Sequence, residues 1–140
     1  MNLNLSDKVI IVTGGAKGIG AAIVLDAAQA GARVSFVDID VAASEKYLGE
    51  LRAAGHKVEF ERADVGNFAD LEQALKKLVA KQGDFTGVVN NAGVGSSADP
   101  VTMTDEEWDV FFAIDMKSIW HTAKLTLPAM RKAQKGAIVN

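Results

Sequence analysis

The sequence contains no cysteine, which excludes disulfides and thiolate metal sites. Histidine occurs twice, as His56 and His121. Neither has a carboxylate or a second histidine at ligand spacing, so no metal site can be argued and both read as structural or surface residues. Positive charge is not concentrated anywhere. The 15 Lys and Arg are spread along the chain against 18 Asp and Glu, for a net charge of −3. That leaves no basic patch for nucleic acid or an anionic membrane. Apolar runs are broken by Asp, Lys or Gly well short of the ~20 residues that span a bilayer. The opening "MNLNLSDK" lacks the charged-then-apolar order of a secretory signal. A soluble, cytoplasmic protein is expected, with neither nucleic acid nor a membrane as partner.

Apolar residues and glycine, by contrast, are plentiful. At 140 residues and 49% hydrophobic content, the chain fits one domain with a sizeable core. Strand and helix signals alternate along it. Val9 to Val12 is a β-branched run, and Ile19, Ala22, Ile23, Ala27 and Ala30 follow at helical spacing before Gly31 supplies a stop. "RVSFVD" predicts a second strand, "VAASEKYLGELRAAG" a helix ended by Gly55, and "KVEFER" a third strand of alternating polarity. Asn67 with Asp70 caps a helix over "FADLEQALKKLVAKQG", and "GVVN" is a fourth, buried strand. After the loop "NAGVGSSADP", Thr104 and Glu107 form a capping box for a long helix to Ala133, which Pro128 is expected to kink or end, and "AIVN" begins a fifth strand.

Strands alternating with crossover helices imply a parallel sheet covered on both faces, a doubly wound, Rossmann-like α/β fold of five strands and four helices. Such sheets bind ligands beyond the carboxyl ends of their strands. That edge collects Thr13 to Gly20, Asp38, Asp64 with Val65, and Asn90 to Gly93, while His56 and His121 fall far from it in the pattern. In "TGGAKGIG" the glycines Gly14, Gly15, Gly18 and Gly20 let backbone approach a pyrophosphate, because a Cβ would take the phosphate's space or forbid the φ angles. The N–H groups and positive dipole end of the helix beginning near Gly18 would stabilise its charge. A tight turn with no ligand would use glycines too. Asp38, about twenty residues on at the end of the second strand, favours a dinucleotide, since its carboxylate can accept from both hydroxyls of an adenine ribose. Lys17 either touches a phosphate or is solvated.

These segments resemble the short-chain dehydrogenase/reductase family. "TGGAKGIG" at Thr13 to Gly20 matches its TGxxxGxG cofactor loop, "ADV" at Ala63 to Val65 its adenine-contacting stretch, and "NNAG" at Asn90 to Gly93 its cofactor-lining motif. The resemblance covers the whole chain, whereas family members normally run to about 250 residues of one domain. Residues 1–140 are therefore expected to be a dinucleotide-binding domain incomplete at its carboxyl end. By resemblance, Asp64 holds the adenine amino group and Val65 contacts the ring. Ile19 bonds a phosphate through its backbone, and Asn91 lines the nicotinamide ribose. Asn90 reads as structural, tying neighbouring strands together, while Ala92 and Gly93 leave room beside the cofactor.

The resemblance implies hydride transfer between a secondary alcohol or ketone and NAD, with a Ser and a YxxxK pair that would lie beyond the fifth strand. Tyr47 is the sole tyrosine and Leu51 stands four residues later, so this is no substitute. The family's fourth catalytic residue is an Asn in the long helix, and Asp115 occupies that position here. A side-chain carboxylate there would favour the protonated form of the catalytic lysine. A chain of these 140 residues alone is expected not to catalyse. Asp38 should repel a 2′-phosphate, and no arginine directly follows it to offset that repulsion, so NAD(H) is expected over NADP(H). Ser96, Ser97 and Asp99 either form one substrate wall or are solvated loop residues. Trp108, Phe111, Phe112, Ile119 and Trp120 exceed what one helix face against a sheet needs, which points to a homo-oligomer. Two rival readings are a non-catalytic NAD-binding redox sensor, which would use the same edge, and an adenosylmethionine-dependent methyltransferase, against which "DV" and "NNAG" at their spacings argue.

Overall fold

The computed structural model describes residues 4–95 and 99–140. Five parallel strands, β1 (Val9–Thr13), β2 (Arg33–Asp38), β3 (Val58–Arg62), β4 (Gly87–Val89) and β5 (Ala137–Val139), form one sheet in the order β3-β2-β1-β4-β5. The crossovers are α1 (Gly18–Gln29), α2 (Val41–Ala53), α3 (Phe68–Gln82) and a long helix built from α4 (Asp105–Phe112) and α5 (Ser118–Ala133). This is the Rossmann-like arrangement expected. The chain steps from β1 outward to β3, then returns past β1 to β4, so the strand order reverses between β1 and β4 and leaves a crevice at their carboxyl ends.

Side-chain alternation along the strands builds two cores. Ile11, Val37 and Val88 point to the face covered by α3, where Leu71, Leu75 and Leu78 are almost wholly buried with Phe85 and Met130. Val12, Val34 and Phe36 point to the other face, against Val24, Ala27 and Leu51. Each such aliphatic or aromatic side chain contributes about 1.5–3 kcal/mol when fully buried. The β3 edge is polar on one side, where Glu59 and Glu61 pair with Lys81 at 3.6 and 2.9 Å. Burial pushes the Glu61 carboxyl up, but Lys81 and Lys77 more than offset this and hold it below its usual range.

The helix ends follow the sequence signals closely. Gly31 and Gly55 stand at φ +94° and +85° just past α1 and α2, a region glycine enters without a Cβ clash. Asn67 Oδ1 accepts from the Asp70 N–H, and Thr104 with Glu107 closes both bonds of a capping box. The long helix departs from expectation. Pro128 does not end it, because α5 runs past it to Ala133. Its interruption is a π-helical turn at Ala113–Lys117 instead, with α4 and α5 continuing on either side.

Candidate functional site

A cleft of about 410 Å³ opens at the reversal point, walled by the β1–α1 loop, the end of β2, the loop after β3 and the loop after β4. Of the residues expected to hold a cofactor, Gly14, Lys17, Ile19, Gly20, Asp38, Asp64, Val65, Asn91, Ala92 and Gly93 line it. Gly18 stands beside it at φ +55°, with no atom within 4 Å of where its Cβ would be.

The glycines divide by cause. A Cβ on Gly20 would fall 2.0 Å from the Gly14 carbonyl oxygen and 2.5 Å from Asn91 Nδ2, and one on Gly15 would fall 2.4 Å from Phe36 Cβ. Gly14, at φ +67°, would meet Ala92 Cα at 2.9 Å. A side chain at any of these three would collide with the loop's own neighbours, so packing alone already requires glycine there. Gly18 alone has the open surroundings and left-handed φ that fit an approaching phosphate. The helix it opens is also unusual. Asp40, Asn67 and Thr104 cap α2, α3 and α4 with side-chain oxygens, but Lys17 gives α1 no such bond and no acid stands in its first turn. Among the described residues, the amino end of α1 thus has neither a side-chain cap nor an acid in its first turn to meet its N–H groups and positive dipole end.

The other walls are tied together by hydrogen bonds across distant parts of the chain. Thr13 Oγ1 accepts from the Asn91 and Ala92 N–H groups at 3.1 and 3.0 Å, and Asn91 Nδ2 donates to the Thr13 and Gly14 carbonyls at 3.1 and 3.0 Å. Asn90 is structural, as expected: Thr122 Oγ1 donates to its Oδ1 at 2.7 Å and its Nδ2 donates to Asn140 Oδ1 at 2.7 Å, joining α5, β4 and the end of β5. Asp38 accepts from the Ala16 and Asp40 N–H groups at 3.1 and 3.0 Å. Asp64 Oδ1 accepts from Gly66 N–H, and the Asp64 N–H donates to Asp70 Oδ2 at 2.8 Å. Both carboxylates are therefore fixed by backbone while facing the cleft.

Several residues were not visible from sequence alone. Val37, Ile39, Val94 and Ile114 add apolar lining beside Ala63 of the "ADV" segment, which only the folded order of the loops brings together. Arg62 is the Cα partner of Asp38 on the neighbouring strand, so an arginine does flank Asp38 although none stands next to it in the sequence. Lys17 is neither free nor pointed only at the cleft. Its Nζ lies 2.5 Å from Asp40 Oδ2, and that contact raises the lysine and lowers the aspartate from their usual pKa ranges. His121 is not remote either. It is buried against Phe68 and Trp120, its Nδ1 has no hydrogen-bond partner among the described residues, and the Val65 backbone beside the cleft favours its charged form.

Asp115 sits in the π turn and reaches back to the loop after β4, where its Oδ1 accepts from Val94 N–H at 2.9 Å and lies beside Gly93. Tyr47 is a packing residue: its hydroxyl donates to the Ala21 carbonyl at 2.6 Å and its ring meets Phe36. Ser96 and Ser97 lie outside the described residues. Asp99 Oδ1 accepts from Val101 N–H in an exposed turn. Among the described residues no helix is long and apolar enough to cross a membrane.

The profile of the short chain dehydrogenase family matches residues 8–140. A cyclopentanol dehydrogenase of a Comamonas species is 34% identical over 97% of this chain and 54% of its own. A 2-(S)-hydroxypropyl-CoM dehydrogenase of Xanthobacter autotrophicus is 33% identical over 100% of this chain and 55% of its own. A metagenomic short-chain oxidoreductase solved in complex with NADP superposes with a TM-score of 0.89 at 34% identity, covering 96% of this chain and 61% of that one. The chain thus spans about half the length of the curated relatives it matches. With the glycine loop, the strand-end acids and the NNAG segment gathered at one reversal point, this chain belongs to the short-chain dehydrogenase/reductase family.

Proposed function

We propose that these residues are the cofactor-holding part of an NAD(H)-dependent oxidoreductase acting on a secondary alcohol or its ketone. The observation that carries this reading is the uncapped amino end of α1 beside the open Gly18, facing Asp38 and Asp64 across one cleft. A dinucleotide would lay its pyrophosphate on the Gly18 and Ile19 N–H groups and its adenine ribose on Asp38. Its adenine would rest against Asp64 and Val65, and its nicotinamide ribose along Asn91, Ala92 and Gly93. The bound nicotinamide supplies the hydride chemistry, and the protein orients it. Asp115 stands at the family's fourth catalytic position, and its bond to Val94 braces the nicotinamide side of the cleft. Relatives named for cyclopentanol and 2-hydroxypropyl-CoM support an alcohol substrate.

The preference for NAD(H) rests on Asp38, whose charge disfavours a 2′-phosphate. We read residues 1–140 as belonging to a single dinucleotide-binding domain, and the protein as a homo-oligomer through the long helix. Fluorescence titration with NADH and NADPH tests the cofactor assignment. NADH should bind more tightly, and Asp38→Ala should narrow the gap about tenfold, the scale of one lost charged interaction. Equal or tighter NADPH binding by the unaltered protein would overturn it.

A further inference from the structure

Two cations stand near Asp38, Lys17 in the lining of the cleft and Arg62 on the paired strand, and each is engaged by a carboxylate that does not line the cleft. Lys17 lines the cleft, yet its Nζ is 2.5 Å from Asp40 Oδ2. Asp40 is held in place by its second duty, since Oδ1 accepts from Ala43 N–H at 3.0 Å and caps α2. Arg62 is the cross-strand Cα partner of Asp38, and its guanidinium bonds Asp70 Oδ2. Asp70 is likewise anchored: the same oxygen accepts from Asp64 N–H at 2.8 Å, and the Asp70 N–H donates to Asn67 Oδ1. Among the described residues, Asp38 itself has hydrogen bonds only from backbone.

The charge pattern is thus one of sequestration. A phosphomonoester entering beside Asp38 would need Lys17 and Arg62 as counter-charges, but each would have to leave a fixed anion to serve, and that anion would then add to the repulsion. We propose that Asp40 and Asp70 are specificity-determining residues, which exclude a 2′-phosphorylated adenosine by pairing Lys17 and Arg62 so that neither is free to meet its phosphate. The inference rests on reading the cleft as an adenine dinucleotide site. Because the Lys17 and Arg62 side chains are 70% and 49% exposed, each hold is of moderate strength. The Lys17–Asp40 and Arg62–Asp70 pairs share no residue, so the two effects should be close to additive in free energy.

Calorimetric titration of the protein with 5′-AMP and with adenosine 2′,5′-bisphosphate tests this. Asp40→Asn and Asp70→Asn each keep an oxygen for the cap or the Asp64 N–H, so the loops are preserved while the charge goes. Each should improve bisphosphate affinity relative to AMP about two- to fivefold, and the pair about tenfold, with the gain shrinking as salt is raised. Adding Lys17→Ala to Asp40→Asn should abolish the gain from the latter. If AMP binds but the ratio moves in neither variant, or if the gain survives loss of Lys17, this inference is wrong and the cleft reading stands. If neither nucleotide binds the unaltered protein, the cleft reading fails and takes the inference with it.

Discussion

At the scale of single residues, the site is made mostly by groups held in place by backbone. Asp38 and Asp64 are oriented by N–H donors, and Asn91 by two carbonyls. His121 is a different case, a titratable ring enclosed by Phe68 and Trp120. Burial lowers its pKa, and the nearby Lys117 and Lys124 push the same way, with the Val65 backbone opposing them. The folded state therefore favours neutral His121. Its contribution to stability is complete above the unfolded value near 6.5 and is lost as the pH falls from there through the lower folded value. Urea unfolding at pH 7.5 and 5.5 should show the loss, and His121→Leu should lose less over the same interval; an equal loss in both would refute the assignment. Asp38, Asp64 and Asn91 were legible in the sequence because motif spacing fixes where a strand ends. Arg62 beside Asp38, Asp40 holding Lys17 and His121 near Val65 were not, since each depends on neighbours that only the sheet order and helix docking bring together.

At the scale of elements, strand and helix positions were nearly all legible, because β-branched runs, caps and terminal glycines are local signals. The π turn was not. Nothing in the periodicity of "FFAIDMKSIW" marks an extra residue per turn, and Pro128 drew attention to the wrong place. The turn places Asp115 against Val94, so the helix and the loop after β4 are coupled through one hydrogen bond at 2.9 Å. Asp115→Ala should leave that N–H without its acceptor and loosen the wall of the cleft formed by Gly93 and Val94. NADH affinity is then expected to fall about three- to tenfold while 5′-AMP affinity holds, and Asp115→Asn should restore most of the loss. Equal losses for both ligands would show that Asp115 supports the fold in general and not this wall.

At the scale of the whole molecule, the long helix leaves a broad apolar surface. No residue of α4 is buried, and Trp108, Val110, Phe112, Met116 and Trp120 are each at least half exposed. Phe111 and Ile119, expected on the same surface, are partly buried against the chain. Exposure on this scale is costly for a lone chain, and the homo-oligomer proposed above would cover it. Light scattering at micromolar concentration should give a dimer or larger, and Trp108→Glu with Trp120→Glu should shift it to monomer; a monomer before substitution would count against this. The sheet carries another consequence. Thr13 and Asn91, whose bonds close the cleft, stand 78 positions apart in the chain, so an unfolded chain does not assemble the complete cradle. Ligand binding and global folding are consequently one equilibrium: whatever occupies the cleft binds the native state alone, adding about 2.7 kcal/mol of stability at a hundred times its Kd. The melting temperature should therefore climb with the logarithm of ligand concentration without levelling off, and a plateau would mean that the unfolded ensemble binds as well.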